Sequence, residues 1–503
     1  MTAYYLTTPI YYANDVPHIG HAYTTIAADA IARYQRLHGQ DVFLLTGTDE
    51  HGVNIERIAA QQGLTPQQQV DGVAAAFHSL WAQLDITYDG FVRTTDQAHR
   101  RTVLELWQRL QAGGDLYRGV YEGQYCPRCE AYYQADELVG PNCPVHGLAC
   151  DQVREENWFF RLSHYQDTLE RLVRDTDFVQ PEARRNEVLG ALAEGLRDFS
   201  VTRRQVRWGI PLPESADEVI YVWVDALANY LTGIGYPDDR ASFERYWPAS
   251  LHLVGKEIIR FHCLYWPALL LSAGLPLPRR VFAHGWLTKD RHKISKTTGN
   301  TVDPAALASE FGSDAVRYYF LSAIVFGQDG DFTRQGLVGR YNADLANGFG
   351  NLVQRATTLA SRDCPLARPD TDAVSEVEVA LREHAATLVE RVATAFESLA
   401  LHEAIAAVGT FVGEANRYIQ LTAPWELAKH APSARLAVVL DHVVEAARLA
   451  AWYSAPFVPR AAADAHRRLV GTLPLVGGGR FAPGARASVV VGPPLFPRVV
   501  LGE

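Results

Sequence analysis

Residues 3–10, AYYLTTPI, are β-branched and aromatic, as a buried strand requires. Asn14, Asp15 and Pro17 in the following YYANDVPHIGH are turn and helix-start residues. From Ile19 the apolar positions Ile26, Ala30, Ile31, Tyr34 and Leu37 recur at helical spacing, and Gly39 provides a stop. A second apolar run, VFLL at 42–45, ends in GTDEHG. Strand, helix and strand in close succession predict a parallel crossover unit. Ligands in such sheets bind beyond the carboxyl ends of the strands, where His18, Gly20, His21 and the segment 47–52 would lie.

Farther along, Asp303-Pro304 and Gly312-Ser313-Asp314 mark two helix starts. From about Gly336 to Ser454 the pattern is helical throughout, with amphipathic stretches such as HEAIAAVGTFVGEANRYIQ, and short turns between them imply a bundle. The last stretch, VGGGRFAPGARASVVVGPPLFP, is rich in Gly and Pro with one strand-like run, SVVVG. The longest apolar cluster, FHCLYWPALLLSAGLPL, is broken by His262, Pro267 and Pro276, so no membrane span is expected. The amino-terminal MTAYYLTTPIYY lacks the basic-then-apolar order of an export signal, and a soluble cytoplasmic protein is expected.

A length of 503 residues suggests about three domains. The net charge of −10 argues against a chain coated with phosphate-binding charge, yet RDFSVTRRQVR at 197–207 shows that basic surface can be local. Of six cysteines, Cys126, Cys129, Cys143 and Cys150 cluster within 25 residues, and without an export signal that clustering favours metal over disulfides. CPRC at 126–129 and CPVH at 143–146 form two pairs of like spacing. Three thiolates and one imidazole, Cys126, Cys129, Cys143 and His146, meet the need of tetrahedral zinc at ~2.3 Å from sulfur and ~2.0 Å from nitrogen. Four protein ligands leave no open position, so the ion would be structural; Cys150 is an alternative to His146.

His18 and His21 share one face of a helix start, and Gly20 between them lets a flat ring or phosphate approach the backbone. The partial positive charge of a helix amino terminus suits an anion. Two satisfied structural histidines would give the same pattern. A metal site of His18, His21, Asp49 and His51 is less favoured, because its ligands come from two strand ends without compact spacing. Much later, DRHKISKTTGN at 290–300 sets Lys293 and Lys296 around Ser295 in a segment rich in small polar residues; alone it reads as a solvated basic loop.

PHIGH at 17–21 followed by KISKT at 293–297 resembles the paired signature of class I aminoacyl-tRNA synthetases, usually HIGH and KMSKS. TTPIYYANDVPHIGHAYTT, LTGTDEHG, YVWVDALANY, the Cys-rich insert, KISKTTGN, GNLVQR and NRYIQLTAPWEL follow in the order of the methionyl-tRNA synthetase family, and the resemblance runs from Tyr4 to about Pro456. It implies an enzyme, a methionine–tRNA ligase, that forms methionyl-adenylate from L-methionine and ATP and transfers the methionyl group to the 3′ end of tRNA(Met) for translation. It also implies that His18, His21, Lys293 and Lys296 surround the ATP phosphates and stabilise the pentacoordinate phosphorus. Gly20, Gly255, Lys256, Glu257 and Ser295 would complete the ATP site, with Mg2+ accompanying ATP.

The methionine pocket implied by the resemblance consists of Ile10, Tyr12, Asp49, Trp223, Ala226, Leu227, Tyr230, Ile258 and His262. Asp49 would take the ammonium group, Trp223 would close on the side chain, and the Tyr230 hydroxyl would reach the sulfur. Without the family pattern, Trp223, Ala226 and Tyr230 read as a core stripe. Asn351, Arg355 and Trp425 would read the anticodon; on their own they read as an N-cap, a surface charge and a core Trp. Two departures stand out. The family's usual GKD is Gly255-Lys256-Glu257 here, one methylene longer near the ribose, and Ile294 replaces methionine in the signature loop, a swap that nearly conserves volume.

The expected architecture is α/β: a Rossmann-like parallel-sheet catalytic domain with a zinc-binding insert, then an all-α anticodon-binding bundle. The halves of the catalytic domain are placed at 1–115 and 200–296, the zinc-knuckle insert at 116–199, a stem-contact linker at 297–345, and the helical domain with its tail at 346–503. A monomer is expected. Two other functions fit parts of the pattern: a tRNA-independent synthetase paralogue adenylating methionine or an analogue for another acceptor, and a zinc-bearing RNA-binding protein without catalysis. Asn351, Arg355 and Trp425 weigh against the first, and His18, His21, Lys293 and Lys296 against the second.

Overall fold

The computed structural model describes residues 3–126, 131–133, 138–144, 147–293, 302–363, 374–430, 433–484 and 489–500. β1 (Ala3–Tyr12) and β2 (Asp41–Asp49) pair in parallel, with α1 (Ile19–Leu37) crossing between them. The sheet has six strands in the order β3 (Gly90–Arg93), β2, β1, Leu251–Gly255, Val281–His284 and Val179–Gln180, all parallel. The chain builds outward from β1 on one side and later adds Leu251–Gly255 on the other. Strand order therefore reverses between these two neighbours, the place where open parallel sheets form a crevice.

Leu6, Leu44, Leu45, Leu251, Leu253 and Val281 are completely shielded, which is why the strands read as apolar runs and not as alternating ones. α1 is buried on nearly every side, and Ala22, Ala27, Ala28, Ala30 and Ala32 let its neighbours approach closely. One charge is buried among them. Asp29 pairs with Arg33 at 2.7 Å and with the fully buried Arg317 at 2.6 Å, and accepts from the Thr87 backbone and hydroxyl. Burial alone would raise its pKa; Arg317, Arg33 and the Thr87 bonds outweigh it and hold the carboxyl at about 2. Arg317 belongs to the helix Ser313–Ala323 and also donates to the carbonyls of Leu84, Pro456 and Phe457. It thus ties α1 to the end of the long bundle helix Ala434–Ser454.

A second buried carboxylate anchors the short helix Val222–Leu227. Asp225 lies 2.6 Å from His51 Nδ1, in the GTDEHG segment, and 2.7 Å from His99 Nε2, whose Nδ1 meets the Thr232 hydroxyl at 2.9 Å. Burial opposes ionisation, but His51 and His99 hold the Asp225 carboxyl at about 2.

Between the halves of the main sheet, Leu116–Cys126 and Asp151–Phe160 form a long antiparallel ribbon, flanked by Ala131–Tyr133 and Phe199–Ser200. The helices expected after Asp303 and Gly312 run over Pro304–Phe311 and Ser313–Ala323. A wide-turned π-helical stretch, Tyr341–Gly350, leads directly into the helix Asn351–Asp363, and Glu376–Glu397, Leu401–Thr422, Ala434–Ser454 and Pro459–Val470 complete the bundle. The tail differs from its sequence pattern: 489–492, the described part of the strand-like SVVVG, forms no strand. Instead the tail is strapped down by side chains, with Trp452 donating to Leu475 O and Asn342 bonding the Val499 backbone in both directions.

Two outcomes follow. Arg317→Met should cost roughly 3 kcal/mol, because it strips the buried Asp29 of one partner; pairing it with Asp29→Leu should recover most of the loss. Thermal unfolding of the three variants measures both. Asp225 has a folded pKa below its unfolded one, so its contribution is complete above about pH 4 and disappears as pH falls toward 2. Asp225→Asn should therefore be less stable than the parent at neutral pH, with the gap narrowing below about pH 3 in acid unfolding followed by circular dichroism.

Candidate functional site

A cavity of about 1040 Å³ opens at the strand-order reversal. Ile10, Tyr12, His18, Gly20, His21, Asp49, Trp223, Ala226, Leu227, Tyr230, Gly255, Glu257, Ile258 and His262 all line it. Residues inferred from four separated motifs thus share one wall. His51 is absent from that wall, being committed to Asp225, and among the described residues no group of three metal-ligating side chains assembles there or elsewhere.

The histidines of PHIGH build the start of α1. His18 is its N-cap: His18 Nδ1 accepts from Gly20 N at 3.1 Å, and His21 Nδ1 accepts from His18 N at 3.2 Å. This is the reciprocal arrangement that Ser or Thr usually makes with Glu. Because both Nδ1 atoms accept, the N–H of each neutral ring is at Nε2, and the two rings stack with centroids 3.7 Å apart. A Cβ on Gly20 would lie 3.0 Å from His18 Cε1, so glycine here first makes room for the neighbouring imidazole. Thr24, one turn on, bonds His284 Nε2 at 2.7 Å, and both line the cavity. His284 lies 260 residues from Thr24, and nothing local in the sequence marks it.

At the other end the pocket is aromatic and neutral. Trp223 stacks on Phe261 with centroids 3.6 Å apart and planes within 6°. His262 Nδ1 bonds the Ile258 carbonyl, so Nε2 is the acceptor for the Tyr230 hydroxyl at 2.7 Å. Burial lowers the His262 pKa to about 4, which keeps the ring uncharged. The Tyr230 proton is thus directed at His262, leaving its oxygen toward other partners. Asp49, at the end of β2, is one of three carboxylates that line the wall among the described residues, with Glu257 and Asp303. Lys256 is not in the wall: its ammonium bonds both carboxylate oxygens of Asp329 at 2.7 Å. Lys293 stands opposite Thr288 in an antiparallel pair, and Thr288 lines the cavity; Ser295 and Lys296 lie outside the described residues.

In the insert, Cys126 and Cys143 are buried, whereas Cys129 and His146 lie outside the described residues. The Cys150 thiol is pushed up, first by burial and then by the neighbouring Cys126 and Cys143, although among the described residues these three do not form a metal-holding group. Thiolates as a donor type suit a soft ion such as zinc.

A second cavity of about 810 Å³ in the helical domain is lined by Asn351, Arg355 and Asn416. Arg355 and Asn351 both donate to Asn416 Oδ1, at 3.1 Å and 3.4 Å, while Asn416 Nδ2 donates to the Val412 carbonyl. Asn351 is no N-cap, because it continues the helical path from Tyr341. Trp425 is 39% exposed at the start of the Pro424–Leu427 turn of helix, outside the core.

The profile of class I tRNA synthetases (M) matches residues 4–151 and 133–357, and the profile of the anticodon binding domain of methionyl tRNA ligase matches 368–472. Methionine–tRNA ligase of Nostoc sp. is 46% identical over 472 residues, 92% of this chain and 89% of the relative; that of Caldanaerobacter subterraneus subsp. tengcongensis is 45% identical over 459 residues, 91% and 72%. Among solved structures, Mycobacterium tuberculosis methionyl-tRNA synthetase in complex with methionyl-adenylate superposes with a TM-score of 0.93 at 41% identity, covering 99% of this chain and 100% of the other. The apo form of the same synthetase gives 0.86 at 39% identity, covering 100% and 99%. With both profiles matched across most of its length and an α/β cleft joined to a helical bundle, the chain belongs to the methionyl-tRNA synthetase family.

Proposed function

We propose that this chain performs the family's two-step reaction in the 1040 Å³ cavity and reads tRNA(Met) through the helical domain. The convergence of the PHIGH, GTDEHG, YVWVDALANY and GKEIIRFH residues on one wall carries this reading. The Asp49 carboxylate takes the ammonium group of L-methionine. Trp223, backed by the stacked Phe261, offers its indole to the side chain, and polarizable sulfur suits aromatic surroundings. The His262–Tyr230 pair is neutral, and because the Tyr230 proton goes to His262 the expected donation from the hydroxyl to sulfur is not made; the thioether, a weak acceptor, gives up little hydration on entering.

ATP arrives as its Mg2+ complex, with the triphosphate at the start of α1. His18 and His21 direct Nε2–H groups at it, and the helix terminus adds its partial charge. The methionine carboxylate attacks the α-phosphate directly, the bond to pyrophosphate breaks, and no protein nucleophile takes part. What the protein supplies is alignment and donors placed where charge develops. Lys293 and Lys296 act from the signature segment as point charges on flexible stems. The tRNA 3′ end then attacks the adenylate carbonyl and AMP departs. Asn351 and Arg355, oriented by Asn416, contact unpaired anticodon bases, and the exposed Trp425 stacks on one. A single Zn2+ held by Cys126, Cys129, Cys143 and His146 supplies a structural cross-link in the insert.

Three outcomes test this. Purified protein should exchange labelled pyrophosphate into ATP only when methionine is present, and should charge tRNA carrying a CAU anticodon. Exchange without charging would favour the tRNA-independent paralogue. His21→Ala should lower the exchange kcat by a factor on the order of 10² with little change in KM for methionine, as expected for loss of a transition-state donor. Cys126→Ser should release the zinc, measured by elemental analysis, and make the insert ribbon sensitive to limited proteolysis.

A further inference from the structure

The wall of the cleft beside Glu257 is closed by residues from three separate segments. Glu257 follows the strand Leu251–Gly255, Trp286 follows Val281–His284, and Asp329 precedes Gly330–Phe332. Trp286 Nε1 donates to Glu257 Oε2 at 2.8 Å, and Trp286 backbone N donates to Asp329 Oδ1 at 2.8 Å. Both Asp329 oxygens accept from Lys256 Nζ at 2.7 Å, and that ammonium lies 4.2 Å from the Trp286 ring centroid. Since Lys256 and Glu257 are adjacent, the contacts form a closed loop. Glu257 and Trp286 line the cavity, whereas Lys256 and Asp329 brace them from outside it.

This clasp answers the one-methylene departure at Glu257. A glutamate has one more rotatable bond than the family's usual aspartate, so its carboxylate is less well placed unless something holds it. The fixed indole N–H takes Oε2, and the side chain folds back so far that a Cβ on Gly255 would meet Glu257 Oε1 at 2.4 Å. That fold leaves Oε1 to accept from a hydroxyl. Trp286 is 49% exposed, so its ring adds little to the core, and the polar contacts are what distinguish it.

Resting on the reading that Glu257 faces the ATP ribose, we propose that Trp286 is a positioning residue for ATP: its indole N–H fixes Glu257 so that the carboxylate accepts from a ribose hydroxyl. The same clasp ties the ribose wall to the base of the signature segment. Gly330–Phe332 pairs with Leu287–Lys289, and Leu287–Lys289 pairs with His292–Lys293.

The test is methionine-dependent pyrophosphate exchange by the parent, Trp286→Phe and Glu257→Gln, each with ATP, 2′-deoxy-ATP and 3′-deoxy-ATP. Phenylalanine keeps an aromatic ring beside Lys256 while removing the indole N–H along with part of the bicyclic ring. Trp286→Phe should raise KM for ATP roughly tenfold, the scale of one lost hydrogen bond to a charged acceptor, and should erode the preference for ATP over a deoxy analogue while KM for methionine stays unchanged. If Glu257→Gln loses that preference and Trp286→Phe keeps it, the positioning role is overturned and the ribose reading survives. If Glu257→Gln keeps it, the ribose reading fails and the positioning role falls with it. A Trp286→Phe variant that weakens methionine as much as ATP also overturns the proposal, because it then acts on the whole cleft.

Discussion

The cleft depends on α1 starting in one place and pointing in one direction. Its first turn is fixed by two imidazoles that cap each other's backbone, and its middle by a buried carboxylate gripped by two guanidinium groups. The first constraint presents Nε2–H groups at the crevice. The second keeps the helix from sliding along the sheet, since Asp29 has no other place to be satisfied without leaving a buried charge. Arg317 extends that grip to the carbonyls at 456 and 457, so the helix that begins the nucleotide site is physically continuous with the helical domain.

Around this fixed edge the chemistry divides by charge. At the α1 end are backbone and imidazole donors suited to phosphate oxygens; at the Trp223 end are stacked rings and a neutral histidine–tyrosine pair suited to an uncharged side chain. Asp49 and Glu257 stand at the carboxyl ends of strands on either side of the reversal, where one suits an ammonium and the other a hydroxyl. On the proposed function each group takes a different part of a single adenylate, which would let one cavity align a carboxylate with a phosphorus without a covalent detour.

Much of this was legible in the sequence, because the groups concerned are close together in it. His18, Gly20 and His21 lie within one helical turn, and Trp223, Ala226 and Tyr230 share a face at helical spacing. The first two strands of the sheet were legible as the apolar runs AYYLTTPI and VFLL, as strands covered on both faces require. What stayed hidden depends on contacts between distant segments: His284 with Thr24, Arg317 with Asp29, Asn416 with Arg355, Trp286 with Glu257. A hydrogen bond across 29 or more positions leaves no period in the chain. Lys256 shows the converse, since its motif suggests a nucleotide contact while its ammonium is bound to Asp329. The tail misled for another reason: SVVVG has strand composition, but the neighbouring backbone it meets is helical and has no open edge to pair with.

The central claim is that amino acid and nucleotide occupy one continuous site. Calorimetric titration with methionine, with adenosine, and with a non-hydrolysable methionyl-adenylate analogue tests it directly. One shared cavity predicts a single site at which the joined molecule binds far more tightly than either part, because joining them removes the cost of bringing two molecules together. An analogue that binds no better than methionine alone, or at two independent sites, would contradict the account.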